Sequence, residues 1–268
     1  MRRTLNAIGS LFASILFYFG IRRSVTFDNL QNAYPTSSKS ALNALALNAY
    51  KNLGIVFAEM LYLRFARLTK IKRGISVSNP ELFHAALAKK KGLIVVAGHY
   101  ANWEWLALGG SLVLKTNYGV IRKNIDKSFV EKFLTKMRTR TGNRMINAGD
   151  VRGMYRALQS GECITILGDQ AAPGESVRVP FFGREVPTFE GPARLAIRTN
   201  AIMLFAECFR KTDGNYEITF HPMETDDIVG DSELNVKILT VRHTEVLEKI
   251  IRLNPEQWLW QHKRWKYV

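Results

Sequence analysis

The feature that most constrains the fold is a repeated alternation between short apolar runs and helical patterns from residue 91 onward. Strand-like apolar runs occur at residues 93–97, 118–121, 145–146, 163–167, 201–209 and 216–220. Helical patterns over residues 106–114, 129–137, 152–158 and 190–198 separate most of them, and another over 232–252 closes the chain. This alternation is typical of a sheet with helices packed on its faces, so we predict an α/β fold.

The amino-terminal segment has the composition of a membrane anchor. Pairs of arginines at positions 2–3 and 22–23 flank an apolar stretch over residues 5–21, which three polar residues interrupt. A spanning helix needs about 20 apolar residues, so a shallow or interfacial anchor is as good an interpretation as a span. A cleaved signal peptide is the alternative, but no small-x-small site precedes Arg22. We predict an uncleaved anchor over residues 1–28 and a single domain over residues 29–268. A further helical pattern over residues 38–68 predicts a helical platform, joined to the anchor by a short polar connection at 29–35.

The composition indicates a folded chain with an anionic partner. Hydrophobic residues make up 47% of the 268 positions, which supports a real core and argues against a disordered chain. The 38 lysines and arginines exceed the 23 acidic residues, for a formal charge of +15. Nucleic acid, a membrane surface and a phosphorylated substrate all fit this charge. Cys163 and Cys208 lie in apolar runs, so we predict reduced core cysteines, with no disulfide and no catalytic thiol.

A histidine and a carboxylate follow the first apolar run. The run ends at Gly98, which places His99 in a loop at the edge of the sheet, where α/β proteins keep their sites. Asn102 is a plausible helix cap, so Glu104 falls in the first helical turn, folded back toward His99. We predict that Glu104 accepts a hydrogen bond from one ring nitrogen, which leaves the other free to take a proton from an alcohol.

His99 and Glu104 have two other interpretations. The spacing differs from the H-E-x-x-H pattern of zinc sites, which argues for a base and its orienting partner rather than for metal ligands. Glu104 could instead be a favourable charge at a helix amino terminus, with His99 a hydrogen-bonded loop histidine. The two residues alone leave this second alternative open.

Charged residues follow two later strands. Arg122 and Lys123 come at the end of the run 118–121, where two cations can bind a phosphate or stabilise an oxyanion, or can form a solvated pair. Asp169 and Gln170 follow the run 163–167. Asp169 could orient Arg122 or a substrate hydroxyl, or could only cap a turn.

Two more segments combine cations with helix starts or aromatic residues. Gly191 and Pro192 open a helix with Arg194 one turn inside, which predicts an anion site, although proline at a first helical position needs no function. In residues 255–266 tryptophans alternate with cations, a composition that suits a membrane interface, a sugar-phosphate site or base stacking. We predict that His262 in this segment is a bystander.

Taken in order, these motifs resemble one family. They are His-x-x-Asn-Trp-Glu at 99–104, the arginine at 122, Gly-Asp-Gln at 168–170, Phe-Phe-Gly at 181–183 with Glu-Gly-Pro-Ala-Arg at 190–194, and Pro-Glu-Gln-Trp-Leu-Trp-x-His-x-Arg at 255–264. Nearly end to end, the chain resembles the bacterial lipid A biosynthesis acyltransferases, the late lauroyl and myristoyl transferases of the wider glycerolipid acyltransferase superfamily. The resemblance implies a mixed central sheet flanked by helices, with an N-terminal membrane-anchoring helix before a single acyltransferase domain.

The resemblance also implies an activity. A fatty acyl chain would pass from an acyl-carrier-protein thioester, or acyl-CoA, to a hydroxyl of a lipid A precursor. A lysophospholipid, a glycolipid or an aminoacyl lipid is the alternative acceptor. The thioester is a co-substrate, and neither a cofactor nor a metal is implied. The expected partners are a membrane lipid, acyl-carrier protein and an anionic membrane surface, with no nucleic acid, at the cytoplasmic face of the bacterial inner membrane.

Site roles follow from the resemblance residue by residue. His99 is the expected general base, and Glu104 holds and polarises it. Arg122 and Arg194 are expected to bind the acceptor phosphate or the donor, and Asp169 and Glu190 to order the pocket. The predicted substrate-binding set is completed by their neighbours in the motifs, Asn102, Gln170 and Gly191.

Overall fold

The predicted apolar runs all form strands of one central sheet. The computed structural model describes residues 1–123, 128–172 and 176–268. Its strands are β1 (Ile75–Val77), β2 (Leu93–Ala97), β3 (Tyr118–Arg122), β4 (Arg144–Asn147), β5 (Cys163–Leu167), β6 (Val177–Phe181), β7 (Arg184–Thr188), β8 (Ile202–Arg210) and β9 (Tyr216–Pro222). Seven of them form the sheet in the order β1-β9-β8-β2-β5-β3-β4, and β6 and β7 form a separate antiparallel hairpin.

The central sheet is mixed, as predicted. Strands β8, β2, β5, β3 and β4 run parallel, β9 is antiparallel to β8, and β1 is parallel to β9. All five residues of β2 are buried. A strand covered on both faces has no polar side to alternate with, which explains the continuous apolar run at 93–97.

Helices cover the sheet. They are α1 (Arg2–Tyr18), α2 (Arg23–Ala33), α3 (Lys39–Phe65), α4 (Leu68–Lys72), α5 (Pro80–Ala88), α6 (Gly110–Leu114), α7 (Ser128–Arg138), α8 (Val151–Gln159), α9 (Gly191–Thr199) and α10 (Glu233–Leu253). The helices predicted at 38–68, 129–137, 152–158, 190–198 and 232–252 are confirmed within a few residues. The side chains of Ser38, Asp150 and Ser232 cap α3, α8 and α10 by accepting hydrogen bonds from backbone amides, which fixes where these helices start.

Several elements differ from the sequence prediction. The helix after Asn102 contains a π-helical turn over Trp105–Gly109 before it continues as α6. The polar connection predicted at 29–35 is wrong, because α2 continues to Ala33. The polar residue Asn29 is buried there, and its amide donates hydrogen bonds to the carbonyls of Trp260 (2.7 Å) and His262 (2.5 Å). Asn29 therefore serves a buried contact and does not mark a loop.

The amino-terminal helices do not form one straight segment. No single helix in the described part of the chain is long and apolar enough to cross a membrane. The pair α1 and α2 meets the length and composition requirement together, but the two helices are bent by 91° at the break between them.

Helix α1 packs backbone to backbone against α3. A Cβ atom added to Gly54 of α3 would lie 2.1 Å from the carbonyl oxygen of Gly9, and one added to Gly9 would lie 2.3 Å from the carbonyl oxygen of Gly54. Gly9 also meets Ala58, and Gly54 meets Ala13, so the two helices run antiparallel. The contact depends on these small residues, since any larger side chain would push the helices apart.

We expect Gly54→Ala to destabilise the protein. Alanine in place of glycine normally stabilises a helix interior by about 0.5–1 kcal/mol. Here the added methyl group meets a backbone carbonyl, and overpacking of this kind costs about 1–3 kcal/mol. Urea unfolding in detergent measures the change, and Ala44→Gly at an exposed position of α3 reports the helix propensity alone. A Gly54→Ala protein as stable as the parent would contradict the contact.

Candidate active site

The candidate site lies at the carboxyl ends of two neighbouring parallel strands. In the pairing of β2 with β5, Ala97 is opposite Leu167, and the Gly168 amide donates to the Ala97 carbonyl (3.0 Å). His99 and Asp169 each follow two residues beyond these paired ends. The register of the two strands therefore brings His99 and Asp169 together.

Asp169 is the hydrogen-bond partner of His99. The His99 ring nitrogen Nδ1 lies 2.6 Å from Asp169 Oδ1, and the His99 backbone amide donates to Asp169 Oδ2 (2.7 Å). Trp258 adds a third hydrogen bond, from its indole Nε1 to Asp169 Oδ2 (2.9 Å). The Asp169 carboxylate is buried and has a hydrogen-bond partner at each oxygen, so it holds the imidazole in one orientation.

The pKa of Asp169 keeps its carboxyl group ionised. Burial alone would raise this pKa, but the electrostatic attraction to His99 and the hydrogen bonds from His99 and Trp258 outweigh burial and lower it to about 2. The Nδ1–H group of His99 donates a hydrogen bond to the ionised Asp169. We therefore assign the tautomer in which Nε2 of His99 is unprotonated and able to accept a proton.

The other side of the imidazole is accessible. The His99 side chain keeps 15% of its surface exposed, while that of Asp169 keeps 3%. The amide Nε2 of Gln170 lies 3.4 Å from His99 Nε2, and the Trp103 ring packs edge-on against the imidazole at 4.8 Å between centroids. A hydroxyl can thus approach the basic nitrogen beside a side-chain amide donor.

The predicted contact between His99 and Glu104 is wrong. The Glu104 carboxylate is buried and is bound at both oxygens by Arg138 of α7, at 2.8 Å from Nε and 2.5 Å from Nη2. The planar guanidinium matches the two carboxylate oxygens and neutralises a charge that burial would otherwise make costly. Asp169 meanwhile occupies Nδ1 of His99. The catalytic role of Glu104 remains a prediction.

Asn102 is a helix cap, as predicted. Its Oδ1 accepts from the backbone amides of Glu104 (3.1 Å) and Trp105 (3.4 Å). Its Nδ2 donates to the buried carboxylate of Glu59 on α3 (3.0 Å). Asn102 is completely buried, and both ends of its side chain are bound within the protein. This arrangement argues against its predicted contact with substrate.

Arg122 lies at the same edge of the sheet as the His99 pair. It is the last residue of β3, which is parallel to β5, and it forms an ion pair with Glu131 of α7. Its predicted role in binding phosphate remains a prediction.

Asp169 binds His99, whereas the residue pattern suggested Arg122, a substrate hydroxyl or a turn as its partner. Its predicted role in ordering the pocket remains a prediction.

Arg194 is surrounded by carboxylates. Its Nε donates to Glu190 (2.7 Å), its Nη2 lies 2.9 Å from Glu233, and Asp231 lies 3.9 Å away. A guanidinium that already faces three carboxylates does not offer an open anion site, so the structure does not support the anion-binding role predicted for Arg194. The predicted role of Glu190 in ordering the pocket remains a prediction.

The start of α9 adjoins the Asp169 loop. A Cβ atom on Gly191 would lie 2.4 Å from the Phe189 ring, which accounts for glycine at this position. A Cβ atom on Gly168 would lie 3.8 Å from Cγ of Pro192. Gly191 therefore sits near the site as predicted, although the structure does not test whether it contacts a substrate.

The carboxyl-terminal aromatic residues are part of the core. Trp258, Trp260 and Trp265 are buried and pack against Phe181 and Phe182 of the hairpin. The prediction that they form an exposed interface or a stacking surface is wrong, because the β6–β7 hairpin covers them.

Arg264 is buried within the same cluster. It donates hydrogen bonds to the carbonyl of Pro187 (2.8 Å) and the hydroxyl of Thr188 (2.5 Å), and its guanidinium lies 5.1 Å from the Phe181 ring centroid. Burial lowers its pKa to about 10. These contacts are internal, so Arg264 does not belong to a surface for anions.

Trp258 and Arg138 are residues of the site that the sequence did not predict, and His262 has a structural role there that it did not predict either. Trp258 binds Asp169, and Arg138 binds Glu104, yet neither stands near its partner in sequence. His262, predicted to be a bystander, accepts a hydrogen bond at Nε2 from the backbone amide of Ala171 (3.0 Å), directly after the Asp169–Gln170 pair. His262 thus helps to order this loop. One sequence signal pointed to the contacts of Trp258 and His262, namely that both residues belong to the motif at 255–264.

The cysteines are buried and unpaired, as predicted. Burial raises the pKa of both the Cys163 and the Cys208 thiol, which suits core residues. Within residues 1–123, 128–172 and 176–268, no group of three or more histidine, cysteine or acidic side chains is arranged to hold a metal ion.

We expect the stability of the fold to depend on Asp169 at low pH. Because its pKa is lower in the folded protein than in the unfolded chain, ionised Asp169 stabilises the fold above about pH 4, and this contribution disappears as the pH falls toward 2. Asp169→Asn should be less stable than the parent at neutral pH and should lose less stability across this window. Urea unfolding at several pH values measures both effects, with the exposed Asp28→Asn as control. An equally steep fall in both proteins would contradict this assignment.

Comparison with known proteins finds relatives over nearly the whole chain. The family described as bacterial lipid A biosynthesis acyltransferase matches residues 2–267. The lipid A biosynthesis lauroyltransferase of Escherichia coli K12 is 27% identical over 248 residues, which cover 91% of this chain and 79% of the relative. The palmitoleoyltransferase of the same organism is 27% identical over 254 residues with the same two coverages. A lipid A biosynthesis acyltransferase of Haemophilus influenzae is 23% identical over 252 residues, or 91% of this chain and 78% of the relative.

The match covers the strand ends that carry His99 and Asp169 as well as the helices and the carboxyl-terminal core. From this end-to-end match we conclude that the chain belongs to the bacterial lipid A biosynthesis acyltransferase family and is an acyltransferase.

Proposed function

We propose that this acyltransferase moves a fatty acyl chain from an acyl-carrier-protein thioester, or acyl-CoA, to a hydroxyl of a lipid A precursor. The relatives are named for lipid A biosynthesis, which supports this class of acceptor. The observation that carries the proposal is the His99–Asp169 pair, in which a buried carboxylate orients an imidazole whose second nitrogen is accessible.

The pair supports a direct transfer without a covalent enzyme intermediate. Nε2 of His99 takes the proton of the acceptor hydroxyl while the hydroxyl oxygen attacks the thioester carbonyl. The new carbon–oxygen bond forms, the carbon–sulfur bond breaks, and the proton passes from His99 to the leaving thiolate. Asp169 stabilises the imidazolium that exists between these two proton transfers.

Neighbouring side chains support the charge that develops on the carbonyl oxygen. The Gln170 amide, 3.4 Å from His99 Nε2, is the proposed side-chain donor to this oxygen. Arg122, at the end of β3 on the same edge, is the proposed contact for a phosphate of the acceptor or the donor. Glu104 supports the site indirectly in this proposal, since its ion pair with Arg138 fixes α7 against the helix that follows His99.

We expect His99→Ala to lower the rate of acyl transfer by about 10²-fold or more, because the general base is lost. Asp169→Asn should cause a loss of similar order, since a neutral amide neither fixes the required tautomer nor stabilises the imidazolium. Transfer of a labelled acyl chain from acyl-carrier protein to a lipid A precursor in detergent measures both. The exposed histidine variant His84→Ala is the matched control and should transfer at the parent rate.

Two results would contradict the proposal in different ways. If folded Asp169→Asn retained activity while Glu104→Gln lost it, Glu104 would be the partner that matters. Mass spectrometry of lipids from cells with and without the gene tests the acceptor. An unchanged lipid A together with a missing acyl chain on a lysophospholipid, glycolipid or aminoacyl lipid would show that the acceptor is another lipid.

We further propose that the protein works at an anionic membrane surface, at the cytoplasmic face of the inner membrane. Large apolar side chains are exposed along one face of α1 and the turn after it, and also on α3 and α7. They are Ile8, Leu11, Phe12, Ile15, Phe19, Ile21, Phe57, Leu61, Phe65 and Phe129. Because α1 and α3 run antiparallel and each residue turns a helix by about 100°, Phe12 and Phe57 fall on the same side of the pair. We call these ten residues the apolar face.

The charge around the apolar face matches an anionic bilayer. The first 80 residues contain eleven lysines and arginines but only two acidic residues, Asp28 and the buried Glu59. Exposed cations stand at both ends of α1, at Arg3 and Arg22, and others follow α3 from Arg67 onward. Aromatic residues bordered by cations are typical of surfaces that enter the headgroup region.

We expect the combined change Phe57→Ser, Leu61→Ser and Phe65→Ser to weaken binding to vesicles, because it removes three large side chains of the apolar face without touching α1. Flotation with vesicles that contain phosphatidylglycerol measures the effect. Leu234→Ser with Leu253→Ser, two equally exposed changes on α10, is the matched control and should bind like the parent. Equal binding of all three proteins to the vesicles would contradict the proposal that the apolar face binds the membrane. If the substitutions instead dissociated a dimer, a second copy of the protein would be the partner of this face.

A further inference from the structure

A buried carboxylate joins the amino-terminal helix to the loop that carries His99. Glu59 of α3 is completely inaccessible to solvent. Its Oε2 accepts hydrogen bonds from the amide of Asn102 (3.0 Å) and the hydroxyl of Tyr216 (2.6 Å). Its Oε1 accepts from the amide of Asn6 (2.9 Å) and lies 3.7 Å from Nε of Arg2. One oxygen thus binds the site side, and the other binds α1.

The contacts from α1 supply the positive charge that this carboxylate needs. An ionised carboxylate is costly to bury unless it is paired and hydrogen-bonded. Arg2 is the cation in contact with Glu59, and its guanidinium also lies 5.2 Å from the Trp105 ring centroid and donates to the carbonyl of Gly214 (2.6 Å). Displacement of α1 from α3 would leave Glu59 with hydrogen bonds from Asn102 and Tyr216 but without its ion pair with Arg2.

On the site side, Glu59 holds the residue that ends the His99 loop. Asn102 stands three residues after His99, and its Oδ1 caps the helix at Glu104. Between them, Ala101 has a left-handed backbone conformation (φ 45°), which is strained for a residue other than glycine. Such a conformation persists only when its surroundings hold it, and here the Asn102 side chain and the Ala101 amide, bound to the Gln257 carbonyl at 2.7 Å, do so.

We propose that Glu59 is a positioning residue through which the packing of α1 against α3 controls the geometry of His99. Arg2 and Asn6 of α1 stabilise Glu59, Glu59 fixes Asn102, and Asn102 fixes the strained loop that orients His99 toward Asp169. The inference rests on the proposed function for its kinetic readout only. Helix α1, whose exposed side carries part of the apolar face, thereby also supports the active site through Glu59.

A double-mutant cycle in kcat distinguishes this coupling between α1 and His99 from ordinary destabilisation. Arg2→Met with Asn6→Ala removes the α1 contacts, and Asn102→Ala removes the site contact. Each should lower kcat about 10-fold or more with the KM for the thioester unchanged, since displaced catalytic groups slow the chemical step. In the Asn102→Ala background, the α1 changes should have no further effect on kcat. Thr4→Ala, an exposed change on α1, is the control.

Hydrogen exchange provides a readout that does not depend on activity. The Arg2→Met, Asn6→Ala protein should exchange the amides of residues 98–105 faster than the parent, while those of β4 exchange at the parent rate. The proposed coupling would be overturned if the α1 changes lowered kcat by the same factor with and without Asn102→Ala. It would also be overturned if hydrogen exchange over residues 98–105 were unchanged in the Arg2→Met, Asn6→Ala protein. A parent protein that transfers no acyl chain would overturn the proposed function, and the exchange result would still decide the coupling.

Discussion

The hydrogen bond between His99 and Asp169 is the interaction on which the rest of the site depends. It forms because β2 and β5 are parallel neighbours whose ends lie at the same level. Trp258 completes the binding of Asp169 from the carboxyl-terminal segment, which the β6–β7 hairpin covers. Three distant parts of the chain therefore have to fold correctly before a single imidazole acquires the tautomer that acid–base chemistry requires.

Buried charges recur around this pair, and each has its own compensation. Glu104 has the two-pronged guanidinium of Arg138, Glu59 has Arg2 and three neutral donors, and Arg264 has carbonyl, hydroxyl and aromatic partners. A buried charge that loses its partner is strongly destabilising, so these contacts fix the relative positions of the elements that carry them. They connect α7 to the helix that follows His99, α1 to α3, and the carboxyl-terminal segment to the β6–β7 hairpin.

The positions of residues within elements were largely predictable, and their partners were not. The run at 93–97, the cap at Asn102 and the helix opened by Gly191 follow from local rules of burial and backbone chemistry. The choice between Glu104 and Asp169 as the partner of His99 is different, because it depends on strand order. Local spacing favoured the residue five positions away, whereas the pairing of β2 with β5 brings in one seventy positions away.

The sequence by itself determined the α/β class, six strands of the central sheet and most of the long helices, the placement of His99 and Asp169 after strands, and the family to which the chain belongs. Apolar periodicity and motif order are local properties, so they can be read without the fold. Only the tertiary structure decided that Asp169 orients His99, that Arg138 neutralises Glu104, that the tryptophans are core and that Gly9 seats α1 on Gly54. These contacts join residues far apart in the chain, and the energy that selects them comes from burying groups together, which exists only after the elements have packed.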